Sequence, residues 1–419
     1  MFLLLLLFFV ALGKPAHFSN QRKTPCTLYD GNDVQRNHKV LIFIDENYMD
    51  MLHNWYAHYS SICGGMDSAL EIVCMDSQSD ALVRSFSNST LHCSPHSFDL
   101  KYDHNKTIFN SKLGEIWIKR MSTIDIFLRQ GVDLVLSDTD ALWMRDPFQD
   151  LNTFNVQSDV VASRGWFPWH LYDRWGSCLC MGFVYLKSTS FTVDLIQAVS
   201  KQMKRHQEIF LKDIRSKLKP DDQYSINQIL ADWNISWDGM QGGRRLPIQP
   251  PPIEPHNKSA AGKKKKYVSP FDTHFALERN NVPHTGTVLR QGNRSSGQVV
   301  LLPHVKYVRS CHNQSLPWIY KGRKIKRQIK KRTSKASIVH CRVTTGRINP
   351  KKEYLISFGF WKVPVLQAYR NTMARQDVMR AKERMKAVEN FRRAKERKRL
   401  KEERRRKEKE GREEKEEEE

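Results

Sequence analysis

The sequence has 419 residues, of which 40% are hydrophobic, so it can bury a large core as one large α/β domain or as two ordinary domains. The formal net charge of +24 is unevenly distributed, because much of the excess lies in residues 263–266, in residues 321–332 and in the C-terminal tail. Basic runs on loops and tails are usually solvated, so the charge does not by itself favour nucleic acid as a partner. Acidic glycans and membrane surfaces remain alternative partners for these runs.

The N-terminal segment determines the predicted compartment. Residues 2–12 form an apolar stretch that is too short to span a bilayer comfortably, and Ala11 and Gly13 are small residues at suitable positions for cleavage after Gly13. We interpret residues 1–13 as a signal peptide. A short uncleaved signal anchor is the alternative, because no lysine or arginine precedes the apolar stretch and Lys14 follows it. Either interpretation directs the rest of the chain into the secretory lumen.

Potential glycosylation sites and cysteines agree with a lumenal chain. The six Asn-x-Ser/Thr sequons are at Asn88, Asn105, Asn234, Asn257, Asn293 and Asn313. The eight cysteines could form up to four disulfides, whose pairing the sequence does not give because eight cysteines allow many connectivities. A zinc site at Cys178-x-Cys180 is not favoured, because no CxxC or HxxxH companion supports it.

Apolar runs and helical periodicities alternate along the chain. The predicted elements are a strand at 40–44, a helix at 48–62, a strand at 70–75, a helix at 116–128 that ends near Gly131, and a strand at 132–136. Continuous apolar strands separated by helices predict a parallel sheet covered on both faces. Ligands of such sheets bind beyond the carboxyl ends of the strands, which is where Asp45, Asn47, Asp138 and Asp140 fall.

Two aspartates follow the third predicted strand directly, in VDLVLSDTDALWMRDPF (residues 132–148). Asp138 and Asp140 are costly to bury without a partner, because an ionised carboxylate in an apolar environment needs a cation or takes up a proton. A bound cation at this position is therefore expected. A helix N-cap and turn pair is the structural alternative, and a lone Asp-x-Asp proves little without its context.

The context is a set of blocks in a characteristic order. They are VLIFIDENYMDMLHNWYAHY at the first strand and helix, Lys119, the acidic motif SDTDALWMRDP, GFVYLKST at 182–189, DDQYSINQIL at 221–230 and IVHCRVTTG…KKEYLISFGFW at 338–361. Together they resemble the nucleotide-diphospho-sugar transferase domain of GT-A fold glycosyltransferases. They are most similar to glycosyltransferase family seventy-seven, which includes plant rhamnogalacturonan xylosyltransferases.

The resemblance implies a fold and a domain organisation. The fold is an α/β GT-A type, with a Rossmann-like open sheet and helices on both faces, over residues 39–370. Residues 241–300, rich in proline, lysine and polar residues, are predicted to be a long insertion with disorder. Residues 371–419 are predicted to be a charged helical or disordered tail, with a short coiled coil as the alternative.

The resemblance also implies a metal and donor site. Asp138, Asp140 and His340 are the implied metal ligands, and two carboxylates with one imidazole suit Mn²⁺ or Mg²⁺. A satisfied core histidine is the alternative for His340. The implied donor-binding residues are Asn47, Lys119, Asp138, Gly346, Lys351 and Lys352, and the sequence does not decide which of the two adjacent lysines contacts the diphosphate.

Asp222 and Gln223 match the pair that faces the anomeric carbon in related retaining enzymes, and they are the implied catalytic residues. Glutamine is a poor nucleophile, so a same-face displacement is favoured over a covalent intermediate. An exposed helix start after Pro220 is the structural alternative. The sequence departs from the family at Cys180 and Arg342, where the family usually has asparagine, and this leaves the acceptor open.

These inferences lead to one expected function and one alternative. The expected function is a metal-dependent, retaining glycosyltransferase that moves a sugar from a nucleotide-diphosphate donor, with UDP favoured, to a glycan or glycoprotein acceptor in the secretory lumen, with the Golgi favoured. The alternative is a catalytically idle, secreted relative that binds acidic glycans through its basic runs. The sugar, the acceptor and the oligomeric state stay open.

Overall fold

The computed structural model describes most of residues 25–363. The residues outside the description are 1–24, 65–66, 87–90, 99–108, 214–215, 217, 239, 242–243, 246–281, 290–291, 293–294, 310–326, 328, 332, 341–347 and 364–419. The predicted signal peptide, the charged tail, Gly346 and much of the predicted insertion lie there. None of the helices within the described ranges has the length and apolarity to cross a bilayer.

Strands and helices alternate through the described part of the chain. The strands are β1 His38–Ile44, β2 Leu70–Cys74, β3 Asp133–Ser137, β4 Leu142–Trp143, β5 Val160–Gly165, β6 Cys178–Leu186, β7 Ser236–Trp237, β8 Met240–Gln241, β9 Arg244–Arg245, β10 His284–Val288, β11 Gly297–Leu301, β12 Tyr307–Val308 and β13 Ile338–Val339. The helices are α1 Met49–Cys63, α2 Ser77–Phe86, α3 Phe109–Arg129, α4 Phe148–Phe154, α5 Trp169–Trp175, α6 Ser190–Lys212, α7 Asp222–Asp232 and α8 Ile348–Ser357. All five predicted elements are therefore present, with ends that shift by a few residues at most sites.

Eight strands form the central sheet in the order β2-β1-β3-β6-β5-β11-β10-β7. Strands β2, β1 and β3 are parallel, whereas β6 runs antiparallel to both of its neighbours, β3 and β5. The predicted parallel arrangement is therefore confirmed for the three strands that the sequence indicated, whereas the central sheet as a whole is mixed. A continuous apolar run indicates that both faces of a strand are buried, and all nine residues of β6 are buried. Such a run does not indicate the direction of the strand.

The strand directions gather several chain segments at one edge of the sheet. Because β5 and β3 are both antiparallel to β6, β5 runs in the same direction as β3 and β1. The segments that follow β1, β3 and β5 consequently leave the sheet at the same edge. This edge is where open α/β sheets bind ligands.

A second, three-stranded sheet has the order β12-β13-β4. In it, Ile338 of β13 pairs with Trp143 of β4, in antiparallel register. This pairing places His340, which follows β13, beside the turn that contains Asp138 and Asp140. Residues about two hundred positions apart in sequence are thereby brought together.

Part of the predicted insertion belongs to the main sheet. Strand β11 pairs in parallel with β5, and β10 pairs with β11 and β7. The expectation that residues 241–300 form a long insertion with disorder is therefore corrected for 284–288 and 297–300, which lie in β10 and β11. Their hydrophobic run, with Val299 and Leu301 fully or almost fully buried, is a core strand rather than a surface loop.

Two disulfides are formed in the described residues. They join Cys26 to Cys63 and Cys74 to Cys93. Cys178 and Cys180 are buried thiols without a disulfide, so at most a subset of the predicted bridges forms. Both lie on the all-buried strand β6, where Cys178 is a small residue of the apolar core, whereas Cys180 lies outside the hydrophobic clusters.

The end of the described chain packs on α1. Asn54, which is fully buried, donates to the carbonyl of Phe360 at 3.0 Å and accepts from the amide of Lys362 at 2.7 Å. Tyr354 and Leu355 of α8 are also buried in the core. These contacts tie residues 354–362 into the fold.

Removal of residues 371–419 is expected to change the free energy of unfolding by no more than about 1 kcal/mol, the scale of ordinary surface changes. Donor hydrolysis by the purified protein should survive. The measurement is urea unfolding and hydrolysis at matched concentration, with a deletion from residue 354 as the control that should unfold because it removes buried Tyr354, Leu355 and Phe360. A truncated chain that folds normally but loses hydrolysis would mean that the tail reaches the active site.

Candidate active site

The turn after β3 presents Asp138 and Asp140 at the ligand-binding edge of the sheet. Ser137, the last residue of β3, anchors this turn. Its hydroxyl accepts hydrogen bonds from the indole nitrogens of Trp55 and Trp143, each at 3.2 Å. The amide of Asp138 donates to the carbonyl of Gly182 at 2.8 Å, which fixes the turn against β6. The two aspartates thus project from a rigid, buried base.

Asp138, Asp140 and His340 form a cluster that could hold a metal ion. One ligand atom from each residue lies within 4.8 Å of the others. The Nε2 atom of His340 is 3.1 Å from Oδ1 of Asp140 and 3.9 Å from Oδ2 of Asp138. The structure therefore brings together all three residues that the family resemblance implied as metal ligands.

Lys351, rather than Lys352, faces this cluster. Its Nζ atom is 2.5 Å from Oδ2 of Asp140. Burial alone would raise the pKa of Asp140, but the charges of Lys351 and His340 outweigh it and hold the pKa well below its usual range. Lys352 instead pairs with Asp50 and lies 5.2 Å from the ring centroid of Trp361. The structure thus separates two lysines that the sequence left equivalent.

Gly182 of β6 leaves the space that the cluster needs. A Cβ atom at this position would lie 2.0 Å from Cε1 of His340 and 2.9 Å from Oδ2 of Asp138. Real side chains do not approach so closely, so only glycine allows His340 and Asp138 to meet here. The side chain of any other residue at this position would fill the space that His340 and Asp138 occupy.

Arg120 of α3 joins the metal cluster to the catalytic candidates. Its guanidinium is 3.2 Å from Oδ1 of Asp138 and 3.3 Å from Oδ2 of Asp222, and it donates to the carbonyl of Met181 at 2.9 Å. The arginine is buried. It is therefore a fixed positive charge between two carboxylates.

Asp222 and Gln223 begin α7 beside this arginine. Asp221 caps the helix by accepting from the amide of Tyr224 at 2.6 Å. Burial raises the pKa of Asp222, and the nearby charge of Asp138 adds to that effect while Arg120 opposes it. Burial together with the adjacent Asp222 raises the pKa of Asp221 to about 7. The exposed helix start considered for Asp222 is therefore not observed, because this carboxylate is buried.

Two further groups contact His340. The Nη1 atom of Arg309, which follows β12, is 2.8 Å from Nε2 of His340, and the Sγ atom of Cys180 is 4.0 Å from Nδ1. Burial and the Arg309 charge would lower the pKa of His340, but Asp140 and Cys180 raise it, with a net increase. His340 is thus a site residue with charged partners, and not a core histidine satisfied by backbone groups.

The contacts described for Asn47 and Lys119 are with residues outside the cluster. Asn47 is exposed in the turn after β1, where its backbone N–H donates to Oδ1 of Asp45 at 3.0 Å. Lys119 is exposed, with its Nζ atom 6.0 Å from the ring centroid of Phe98 in the segment after β2. Gly346 lies outside the described residues. Asn47 and Lys119 are both on the β1–β2 side of the edge, and their predicted role in nucleotide binding stays a prediction.

Arg120 and Arg309 were not predicted from sequence, although Arg120 left a signal. It lies on the buried stripe of α3 with Met121, Ile124 and Phe127, at helical spacing, whereas Lys119 lies off this stripe. A charged residue on an apolar stripe marks a buried partner. Arg309 has no comparable signal, since only the second sheet brings it to His340.

Several of these side chains line a cavity of about 290 Å³. They include Asp138, Asp222, Gln223, Arg120 and His340. Four aromatic residues, Trp117, Trp166, Phe167 and Trp169, also line it. The cavity therefore combines two residues of the metal-type cluster, the buried Asp222 and several aromatic side chains.

Residues 66–268 match the family model described as nucleotide-diphospho-sugar transferase. The match spans a little less than half of the chain. The match contains Asp138, Asp140, Asp222 and Gln223, while His340 follows it in sequence. The enzyme class predicted from the sequence, a nucleotide-sugar-dependent glycosyltransferase, is confirmed at this level.

Solved glycosyltransferases are similar to the chain at low identity. They include apo GlyE from Streptococcus pneumoniae TIGR4, with 13% identity and a TM-score of 0.30 over 47% of this chain and 43% of that one. Galactosyltransferase LgtC, in complex with donor and acceptor sugar analogs, has 13% identity and a TM-score of 0.28 over 45% of this chain and 70% of that one. Mouse xyloside xylosyltransferase 1 has 11% identity and a TM-score of 0.29 over 47% of this chain and 82% of that one.

The chain spans less than half the length of GlyE. No curated protein matches the sequence significantly. The predicted α/β fold class is confirmed, because the central sheet is open and mixed and alternates with helices along the chain. The candidate site lies at the edge where such sheets bind ligands.

Proposed function

We propose that the protein is a metal-dependent, retaining glycosyltransferase that uses a UDP-sugar. The observation that carries this proposal is the convergence of Asp138, Asp140 and His340 within 4.8 Å, with Lys351 next to them. The narrower likeness to glycosyltransferase family seventy-seven, seen in the sequence blocks, supports a pentose or hexose donor of this class.

The donor set fits a hard divalent cation. Asp138, Asp140 and His340 would hold Mn²⁺ or Mg²⁺, because carboxylate oxygens with one imidazole suit these ions, and Gly182 keeps the space open. When bound, the ion stabilises the negative charge that develops on the leaving diphosphate. Lys351 adds a second positive charge on the Asp140 side. The diphosphate would therefore lie between this lysine and Asp138.

We assign Asp222 and Gln223 a role at the sugar. The Oδ2 atom of Asp222 is buried, forms an ion pair with the Arg120 guanidinium at 3.3 Å and accepts no hydrogen bond within the described part of the chain, and the residue lines the cavity. Arg120 balances the charge of this carboxylate, and a ligand hydroxyl would supply the hydrogen bond that the buried oxygen lacks. We assign Asp222 to a hydroxyl of the donor sugar.

Gln223 is held in a defined orientation. Its Nε2 atom donates to the carbonyl of Phe167 at 2.9 Å. The side-chain amide oxygen is therefore the atom that is available to a ligand in the cavity. An amide oxygen is a weak nucleophile, but it can stabilise positive charge at the anomeric carbon. The retaining route is then a same-face displacement, in which the acceptor hydroxyl passes its proton to the leaving phosphate oxygen.

The proposal can be tested by a screen of common nucleotide sugars with purified protein. Mn²⁺ should raise the melting temperature in the presence of UDP, and one UDP-sugar should be hydrolysed or transferred with retained anomeric configuration, read by proton NMR. Absence of both effects, together with binding to heparin-like glycans, would instead support an idle relative that binds acidic glycans.

We further propose that the chain acts in the secretory lumen, with the Golgi as the favoured site and a glycan or glycoprotein as the acceptor. The Cys26–Cys63 and Cys74–Cys93 disulfides support an oxidising compartment. Asn234 of a sequon is exposed, with a positive φ of 54° in the turn after α7. This sequon is therefore accessible to glycosylation.

Peptide-N-glycosidase treatment of the protein expressed in a eukaryotic cell is expected to lower its apparent mass, because Asn234 is exposed. Asn234→Gln should reduce the shift by one glycan, whereas Asn155→Gln, at a buried asparagine outside any sequon, serves as the control that leaves the glycan count unchanged. Mass spectrometry reads both results. An unglycosylated protein with reduced Cys26 and Cys63 would contradict the compartment.

A further inference from the structure

We propose that Phe167 and Trp169, here called the aromatic rim, form the acceptor subsite and take the apolar face of a neutral pyranoside. This inference rests on the proposed function, because it needs a donor in the cavity next to the rim. It names the chemical class of the acceptor, which the sequence left open.

The aromatic rim exposes large apolar side chains beside the reactive cavity. Phe167 is 37% exposed and Trp169 is 43% exposed, and both line the cavity that contains Asp222 and Gln223. A single exposed apolar residue is normal on a protein surface. Two aromatic side chains at the mouth of a polar cavity are instead typical of a ligand-binding groove.

The position of the rim along the sheet edge favours the acceptor over the nucleotide. The strands at this edge follow the order β1, β3, β6 and β5. Tyr48, which follows β1, interacts electrostatically with Lys351 and Asp140, the two residues next to which we propose that the diphosphate binds. The rim follows β5, beyond Asp222 and Gln223. A donor lying across the edge with its diphosphate at Asp138 and Asp140 and its sugar at Asp222 therefore places the nucleotide away from the rim.

The rim is held rigidly against the sugar-binding end. The Gln223 amide donates to the carbonyl of Phe167, and the Phe167 ring lies 6.1 Å from that of Tyr224. Trp169 packs edge-on against Tyr172 at 6.3 Å. The next residue, His170, contacts Gln228 of α7 at 3.1 Å. A preorganised aromatic surface loses little conformational entropy when it binds a ligand.

The uncharged aromatic rim favours a neutral sugar as the acceptor. A pyranose ring has a face of C–H groups that gains from burial against an aromatic ring, whose face carries partial negative charge. Asp138, Asp221 and Asp222 line the same cavity, and two of them share Arg120 as a partner. Arg309 also lines the cavity, where it contacts His340. Phe167 and Trp169 themselves carry no charge, so the rim offers no counter-charge to an acceptor carboxylate, and a neutral pyranoside is the acceptor that matches it.

The inference can be tested by saturation-transfer NMR on the full chain with Mn²⁺ and UDP. The probes are methyl pyranosides of neutral sugars (glucose, galactose, xylose and N-acetylglucosamine), with methyl glucuronide as the charged comparator. We expect saturation at ring C–H protons of at least one neutral probe and weaker saturation of the glucuronide. Trp169→Ala should weaken that binding about tenfold, the scale of one lost aromatic contact, while Trp169→Phe retains most of it.

Matched controls separate the outcomes. Leu211→Ala removes a still more exposed apolar side chain on α6, outside the cavity lining, and should leave sugar binding unchanged. Phe167→Leu keeps the rim apolar if Trp169→Ala fails to fold. Saturation of none of the neutral probes, or equal saturation in Trp169→Ala, overturns the inference.

Titration calorimetry with UDP measures nucleotide affinity separately from sugar binding. A loss of UDP affinity in Trp169→Ala as large as the loss of sugar binding would mean that the rim holds the nucleobase, and this too overturns the inference. A wild-type chain that binds a neutral pyranoside at the rim but no UDP with Mn²⁺ would instead overturn the proposed function while leaving a sugar-binding surface.

Discussion

Asp140→Asn is expected to reduce Mn²⁺-dependent UDP affinity by at least about 100-fold, since even the loss of an outer-shell partner costs about 10- to 100-fold at metal sites. The substitution removes the carboxylate charge that lies 3.1 Å from His340 and 2.5 Å from Lys351. The cluster then keeps one carboxylate, and Lys351 loses its nearest counter-charge. Titration calorimetry with and without a chelator gives the measurement.

The matched control is Asp80→Asn on α2, which neutralises an exposed ion pair with Arg84 and should leave the affinity unchanged. Because Asp140→Asn also removes the partner of Lys351, its melting temperature must be compared with that of the wild type. His340→Asn is the second variant, since it alters the cluster but retains the Asp140–Lys351 pair. Equal UDP affinity in the chelated wild type, the untreated wild type and both variants would show that no metal acts at this site.

Gly182→Ala is expected to abolish Mn²⁺-dependent nucleotide binding while destabilising the fold by about 1–3 kcal/mol, the typical cost of overpacking a dense interior. The added Cβ would lie 2.0 Å from Cε1 of His340, so the imidazole or β6 must move. The carbonyl of Gly182 also accepts from the amide of Asp138, and a shift of the strand would therefore displace the acidic turn. Thermal unfolding and UDP titration measure the two effects.

Gly31→Ala is the matched control for this prediction. Its added Cβ would meet only the side chain of Val156, with Cγ1 at 3.2 Å and Cγ2 at 3.8 Å, and Val156 is exposed and can move. The free energy of unfolding should stay within about 0.5 kcal/mol of the wild type. If Gly182→Ala bound UDP with Mn²⁺ as tightly as Gly31→Ala does, the space next to His340 would not be part of the metal site.

Local signals in the sequence predicted the elements and much of the candidate site. The acidic turn after β3 could be predicted because a buried run followed directly by two aspartates requires a cation. Asp222 and Gln223 were identified through the resemblance of their block. Arg120 was missed in favour of its neighbour Lys119, although the helical phase of α3 places only Arg120 on the buried face.

The direction of the strands could not be predicted from the same signals. Burial on both faces gives β6 a continuous apolar sequence whether it runs parallel or antiparallel to β3. The polar and proline-rich composition of residues 241–300 likewise concealed β10 and β11, because these strands are short and lie within a segment of otherwise loop-like composition. Strand pairing over long sequence separations decided both.

The sequence by itself determined the class of this protein: an α/β domain with an acidic turn after its third strand and the sequence blocks of a nucleotide-sugar transferase. Only the tertiary structure decided which residues meet. The antiparallel pairing of β13 with β4 brings His340 to Asp140, and the packing of α8 selects Lys351 over Lys352. The segment after β5 brings the aromatic rim into the cavity that Asp222 and Gln223 line. The reason is physical, because a side chain's chemistry is set by its type, whereas its partners are set by contacts between distant parts of the chain.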